Sequence, residues 1–489
     1  MLKLALMFIG LVVVPTVHAG EWAGEKPPNI LFILCDDLGI NDLHCYGRQD
    51  HHTPNLDRLA REGMRFTCAY CAQPICSPSR AAILTGKSPA RLHLTTYLPG
   101  RSDLVSQKVL HPEIEMQVPL SERMLPQYFK AAGYVSAAIG KWHVGGKGFE
   151  PLDHGFDAYH PGQANTKPSL TEGGKGEYDL TAFAERFMET NKDRPFLIYL
   201  AHNAPHIPYD AQPERIKNNG QAFEPVYAGV IETVDDTVGR LTAKLEALKL
   251  TDSTIVIFTS DNGGLHVPEG PHSRITYNAP YRAGKGFVYE GGLRIPLIVR
   301  WPGHVPAGKI SSEPVINTDW VPTLAELAGM PAPAGLDGLS FAGLLTDRGS
   351  APKRNFFWHF PHYTNQGSRP SGAMREGNWM LVEFYDQDVF ELYDLTTDMR
   401  ESRNVAGQHA EKVASMRAAL ADWRKQVNAQ TNRPNPDFDP ARYRELYENV
   451  DASRFRPAQA DLNEWEKMWA WRKRMDSVPT SLKPGKGGK

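Results

Sequence analysis

Excess charge of either sign is missing from this chain: 54 Lys and Arg face 56 Asp and Glu over 489 residues, a formal net charge of −2. That balance gives no reason to expect a nucleic acid or an anionic membrane as partner. Cysteine is scarce, with five residues, all at or before position 76, so a disulfide-built scaffold is excluded. Beyond the first twenty residues no apolar run approaches the ~20 needed to span a bilayer, which excludes membrane insertion of the remaining chain. No segment repeats. What is present is ordinary globular composition, 41% hydrophobic and 22% charged, with enough apolar material for a large core.

The chain opens with Lys3, an apolar run from Leu4 to Val14 and the small-residue pattern Val17-His18-Ala19. This predicts a secretory signal peptide over 1–19, and hence an exported protein, periplasmic or secreted. In an oxidising compartment the odd number of cysteines (Cys35, Cys45, Cys68, Cys71 and Cys76) leaves at least one unpaired in a monomer.

Two continuous apolar runs, Asn29–Cys35 and Ser253–Thr259, read as strands buried on both faces. A third strand is expected over Pro195–Leu200, and helices over 54–66, 119–132, 178–191 and 224–249. Strands alternating with helices predict an α/β fold with a large, doubly wound, mainly parallel sheet. A smaller C-terminal α+β domain with an antiparallel sheet is expected to follow. The expected division is a catalytic domain over 27–350, a small antiparallel-sheet and helix subdomain over 351–430, an extension over 431–478 and a disordered tail over 479–489.

Polar clusters follow the strands. Asp36-Asp37 closes the first run and Asp261-Asn262 the second, giving four oxygen-bearing side chains that suit a hard divalent cation. For either pair alone a helix cap or turn is the competing reading; their matching topological positions favour a metal site. In open α/β sheets ligands bind at the carboxyl ends of strands, where both pairs fall. Cys76 stands just before a helix start marked by Pro78, where backbone N–H groups favour a thiolate or a bound oxyanion. A lone Cys there is otherwise a disulfide partner or a buried thiol.

The segment Cys76-Ser-Pro-Ser-Arg80-Ala-Ala-Ile-Leu-Thr-Gly86 resembles the Cys-x-Pro-Ser-Arg-x-x-x-Leu-Thr-Gly motif of the type I sulfatases in the alkaline-phosphatase superfamily. A second motif of that family, Gly-Tyr-x-Thr-x-x-x-Gly-Lys-x-His, is matched by Gly133 to His143, with Ser136 in place of Thr. Ala204–Pro208 (APHIP) resembles the family's active-site histidine loop, and Ala283–Pro296 the segment that supplies a sulfate-binding lysine, here Lys285.

The resemblance implies that Cys76 is converted to Cα-formylglycine by a formylglycine-generating maturase, so that an oxygen and not a soft thiol meets a cation held by Asp36, Asp37, Asp261 and Asn262. Ca²⁺ is the implied ion, with Mg²⁺ as the alternative. It further implies that Lys141 and Lys285 hold the sulfate and that His206 protonates the departing alcohol. His143 then acts as base in the return step, while Arg80, one helical turn from Cys76, neutralises the nucleophile. The reaction is hydrolysis of a sulfate monoester. Its expected substrate is a sulfated carbohydrate, with aryl sulfates as surrogates.

His266 and His272, just past Asp261-Asn262, and His359 and His362 in WHFPHY are candidate substrate contacts. The competing functions are a phosphate or phosphonate ester hydrolase of the same superfamily, or a sulfoglycan-binding protein that keeps Cys76 as a thiol.

Overall fold

The computed structural model describes residues 26–269 and 274–481, so the leader expected over 1–19, residues 482–489 of the expected tail, and His272 lie outside the described residues. Strands β1 (Asn29–Cys35) and β2 (Met64–Tyr70) precede the two-residue β3 (Val109–Leu110). After them come β4 (Val135–Gly140), β5 (Ala158–Pro161), β6 (Phe196–Ala201), β7 (Thr254–Ser260), β8 (Arg294–Arg300), β9 (Lys309–Ser311) and β10 (Val315–Ile316). The main sheet runs β10-β2-β8-β7-β1-β6-β4-β5, with β9 also on β2. Every pairing is parallel except those of β8, which is antiparallel to both β2 and β7.

β1 is central because six of the seven residues of NILFILC are apolar and the seventh, Asn29, has its amide bonded to Thr254 Oγ1 and the Phe196 N–H, and all seven are buried. Each such Leu, Ile or Phe contributes about 1.5–3 kcal/mol by leaving water. Register then fixes the site. Leu34 of β1 lies opposite Ala201 of β6 and Thr259 of β7, and Gly140 of β4 opposite Ala201. The residues after these ends, Asp36, Lys141, His202 and Asp261, therefore leave the sheet in one row.

Four antiparallel strands, β11 (Phe356–Phe360), β12 (Ser371–Glu376), β13 (Trp379–Phe384) and β14 (Val389–Asp394), form the second sheet in that order. The helix Ala410–Gln426 packs on it through Met416 and Leu420. The chain then returns to the main body. β15 (Arg433–Pro434) pairs with β3, the Val105 N–H donates to the Pro479 carbonyl at 3.1 Å, and the Ser481 N–H to the Asp103 carbonyl at 2.8 Å.

Several expectations are corrected. The helix expected over 54–66 stops at Glu62 (α1, Pro54–Glu62), because Gly63 turns the chain into β2, whose MRFTCAY alternates buried and half-buried residues. The helix expected over 119–132 shrinks to Leu125–Phe129 with a short 3₁₀ turn to Ala132, since Pro126 can only start a helix and Pro119 precedes it by nearly two turns. Residues 479–481 of the expected tail are held by backbone hydrogen bonds. All five thiols are free. Among the described residues no helix is long and apolar enough to cross a membrane.

Candidate active site

Two short segments set the acidic residues. Asp36 continues β1, its N–H donating to the Ala204 carbonyl at 2.9 Å, and Asp37 turns away with φ 65°. The Asp37 N–H donates to Asp261 Oδ1 at 3.1 Å, and the Asp261 N–H to the Cys35 carbonyl at 3.1 Å, so the ends of β1 and β7 are tied to each other. Cys76 opens helix α2 (Cys76–Thr85), which is buried along its whole length and ends at Gly86 in the left-handed region. Helix α2 is anchored from β10's side, where Asn317 Nδ2 donates to Ser79 Oγ at 3.0 Å.

Cys76 Sγ lies 3.3 Å from Asp36 Oδ1 and 3.9 Å from Asp37 Oδ1. Ligand-capable atoms of Asp36, Asp37, Cys76 and His206 all fall within 4.8 Å of one another. Asn262 Nδ2 donates to Asp37 Oδ1 at 2.8 Å, while Asn262 Oδ1 is buried with no hydrogen-bond partner. An orphaned amide oxygen beside two buried carboxylates suits a hard cation, which takes oxygen ligands of this kind. Asp261 has both oxygens engaged, Oδ1 by the Asp37 N–H and Oδ2 by Arg80 Nε and a terminal nitrogen at 2.9 and 2.7 Å. Each oxygen keeps a second lone pair.

Three cations balance these acids. Lys141 Nζ is 2.5 Å from Asp36 Oδ2 and Lys285 Nζ 2.7 Å from Asp37 Oδ2. Arg80, fully buried, also donates to the Lys141 carbonyl at 3.0 Å. Burial works against ionisation of Asp36, but Lys141, His206, Arg80 and Lys285 outweigh it and hold its carboxyl well below the usual range. Burial and the Asp36 carboxylate push the Cys76 thiol well above its ordinary value despite the two lysines. A sulfur here stays protonated and is a poor nucleophile.

Gly140 delivers Lys141. Its φ is +96°, and a Cβ there would sit 2.0 Å from the Ala201 carbonyl oxygen. The two histidines differ in tautomer. His143 Nε2 donates to the Leu98 carbonyl at 2.9 Å, leaving Nδ1 as a buried, unpartnered acceptor, and burial together with Lys141 lowers its pKa to about 3. His206 Nδ1 donates to the Ile207 carbonyl at 2.5 Å, so Nε2 accepts from Lys285 Nζ at 3.0 Å and stands 3.5 Å from Asp37 Oδ2.

The structure thus gathers Cys76, Arg80, Lys141, His143, His206, Lys285, Asp36, Asp37, Asp261 and Asn262 around one point. His266, His359 and His362 behave differently, being 2%, 3% and 2% exposed. His266 Nε2 donates to the Ala452 carbonyl, His359 bridges Tyr385 Oη and the Gln430 carbonyl, and His362 Nε2 meets Thr95 Oγ1. Buried and bonded within the protein, none of the three is in contact with Cys76 or the acidic cluster, which corrects the expectation that they contact the sulfate ester at this site. Sequence reasoning missed Leu98, whose carbonyl orients His143 and whose N–H donates to Ser77 Oγ beside Cys76 at 3.1 Å. A backbone contact of this kind leaves no residue-type signal.

Comparison with known proteins agrees with the geometry. The sulfatase family model matches residues 28–330, and the model described as "N-sulphoglucosamine sulphohydrolase, C-terminal" matches 283–428. N-acetylgalactosamine-6-sulfatase of Sus scrofa is 36% identical over 380 residues, covering 69% of this chain and 70% of its own length. Arylsulfatase A of Homo sapiens is 33% identical over 458 residues, covering 80% and 85%. The solved structure of Ps i-CgsB in complex with k-i-k-neocarrahexaose superposes with a TM-score of 0.70 at 27% identity, covering 92% of this chain and 99% of that one.

Proposed function

The chain belongs to the sulfatase family and is a sulfuric ester hydrolase; from that premise we propose that it removes sulfate from a sulfated carbohydrate. In this reading residue 76 acts as Cα-formylglycine beside a divalent cation, Ca²⁺ in preference to Mg²⁺. The observation that carries the reading is the convergence of Cys76 with the Asp36 and Asp37 carboxylates and the unpartnered Asn262 oxygen. A carbohydrate substrate is supported by the relatives, one named for N-acetylgalactosamine 6-sulfate and one solved with k-i-k-neocarrahexaose. The two curated relatives named here are sulfatases, which disfavours the phosphate-ester and non-catalytic alternatives.

Asp36, Asp37, Asn262 and the free lone pairs of Asp261 would hold the cation. When bound, it neutralises the carboxylates and polarises the sulfate oxygens and the oxygen at position 76. Catalysis then consists mostly of positioning and charge stabilisation, as in phosphoryl transfer. Lys141 and Lys285 have their ammonium groups at the rim of this cluster, and both are held charged by Asp36 and Asp37. In the proposed complex they turn these groups to the sulfate oxygens. Arg80 keeps Asp261 and the Lys141 backbone fixed while charge shifts at position 76. Lys285, which donates to His206 Nε2, passes its proton to that nitrogen, and His206 hands it from Nε2 to the leaving oxygen. His143 Nδ1 is the base for the step that frees sulfate. The partner this reading requires is a formylglycine-generating maturase, and the signal peptide expected over 1–19 supports action in the periplasm or outside the cell.

Trypsin should release Phe66–Arg80, FTCAYCAQPICSPSR. Mass spectrometry of that peptide from active protein is expected to show the Cys76 thiol replaced by an aldehyde. Full aryl-sulfatase activity in Cys76→Ala would overturn the reading.

A further inference from the structure

A cavity of about 490 Å³ opens beside the segment that leads to Lys285, with Arg282 and Ala283 on its wall. Its wall includes Asn278, whose side chain brackets Gly264, accepting from its N–H at 3.2 Å and donating to its carbonyl at 2.8 Å. The Lys285 N–H donates to that same carbonyl at 3.1 Å. Cys76, His206 and Lys285 do not line this cavity, so an occupant there is not the sulfate under attack.

Four guanidinium groups, those of Arg282, Arg400, Arg454 and Arg456, surround it in a chain whose net charge is only −2. Arg282 is buried and answered by Glu391 at 3.2 Å and Asp451 at 3.4 Å, and Arg454 by the same Asp451 at 3.1 Å. Arg400 and Arg456 are exposed and have no carboxylate partner among the described residues. The one acidic residue on the wall, Glu401, is fully buried, with one oxygen taken by the Glu290 N–H at 2.8 Å. Half-buried Tyr281 and Phe455 add ring surface. Unanswered guanidinium forks bind sulfate or carboxylate in bidentate fashion, and aromatic faces beside them suit a pyranose ring. The volume is in the range of small-ligand sites.

We propose that this cavity is a second, non-catalytic site for an anionic saccharide unit, bearing a sulfate or a carboxylate, with Arg400 and Arg456 as its charge-reading residues. The proposal rests on the sulfated-carbohydrate reading for its choice of ligand and on the cavity for its place.

The test compares Cys76→Ala with Cys76→Ala/Arg400→Ala/Arg456→Ala, both full-length, titrated calorimetrically with a chondroitin sulfate hexasaccharide at low and moderate salt. The expected result is an affinity loss of about tenfold or more and a shallower salt dependence in the triple variant, as two charge-assisted contacts disappear. In the Cys76-containing pair, Arg400→Ala/Arg456→Ala should hydrolyse a small aryl sulfate as fast as the parent, which also shows that the variant is folded. Unchanged hexasaccharide affinity overturns the proposal, as does displacement of the hexasaccharide by an equal concentration of inorganic sulfate, which would assign the cavity to a simple anion. Failure of the parent to turn over any sulfate ester, with arginine-dependent hexasaccharide binding intact, would instead sink the enzymatic reading and leave this site standing.

Discussion

The Leu98 carbonyl oxygen accepts from His143 Nε2 at 2.9 Å, so Nδ1 is that ring's unprotonated nitrogen, buried and without a hydrogen-bond partner. A base so placed serves one step. In His143→Ala the first turnover of an aryl sulfate should stay near normal while the steady-state rate falls about 10²-fold, the usual contribution of a positioned base. Stopped-flow release of the phenol separates the two phases; an equal drop in both would remove His143 from the return step.

His206 faces the other way, with Nε2 toward Lys285 Nζ and Asp37 Oδ2. His206→Gln should lower the rate on sulfated sugars, whose alcohols are poor leaving groups, by about 10²-fold or more, and affect nitrophenyl sulfate far less. Parallel losses on both substrates would count against a general acid.

Asn262→Ala deletes the unpartnered oxygen and keeps the neighbouring carboxylates. The melting temperature of wild-type protein is expected to drop on chelation and recover with Ca²⁺. In the variant the Ca²⁺ needed for half-recovery should rise about tenfold, as expected for loss of one ligand or its near neighbour. Identical Ca²⁺ titrations would place the cation elsewhere.

Arg80 is fully buried between Asp261 and the Lys141 carbonyl, with Asp36 3.6 Å away. Lysine keeps the charge but cannot span both carboxylate and carbonyl. Arg80→Lys should cost about 3 kcal/mol in unfolding free energy, in the range for breaking a buried pair, and turnover should fall with it. Urea denaturation at pH 7 measures the first. A loss below ~1 kcal/mol would mean that the pair contributes little to stability.

Asp235, on the helix Pro225–Ala247, caps α1 from outside by accepting from the Asn55 and Leu56 N–H groups at 3.1 and 2.7 Å. Burial outweighs those bonds and raises its pKa from 3.8 to about 6. The folded state therefore favours the protonated acid. This group's contribution is fully present below about pH 4 and is lost as pH rises through about 6, a change of about 3 kcal/mol at 1.36 kcal/mol per pH unit. Asp235→Asn removes that dependence, so relative to wild type the variant should gain stability between pH 4.5 and 7. Parallel stability curves over that interval would show that Asp235 does not titrate there.

The sequence was most readable where chemistry and local pattern coincide. β1, β6 and β7 are short apolar runs that stop at polar residues, and register alone brings Asp36, His202 and Asp261 level once those strands pair; Lys141 joins the row only through β4, a strand its sequence did not announce. It was least readable where partners are remote in the chain. His359 and His362 look like pocket residues in WHFPHY, yet Gln430 and Thr95 take up their nitrogens from 71 and 267 positions away. β2 was hidden because its residues continue the amphipathic look of α1, with only Gly63 between them.

The hydrogen bonds from Val105 and Ser481 join the loop that begins at Leu98 to the last described residues of the chain. The loop that orients His143, the proposed base, is therefore itself held by the carboxyl end. A chain clipped near residue 430 loses the partners of Val105 and Asp103, and with them this hold on the loop that follows Leu98. That contact joins distant parts of the polypeptide, so it carries a loop-closure cost that local elements such as β1 do not.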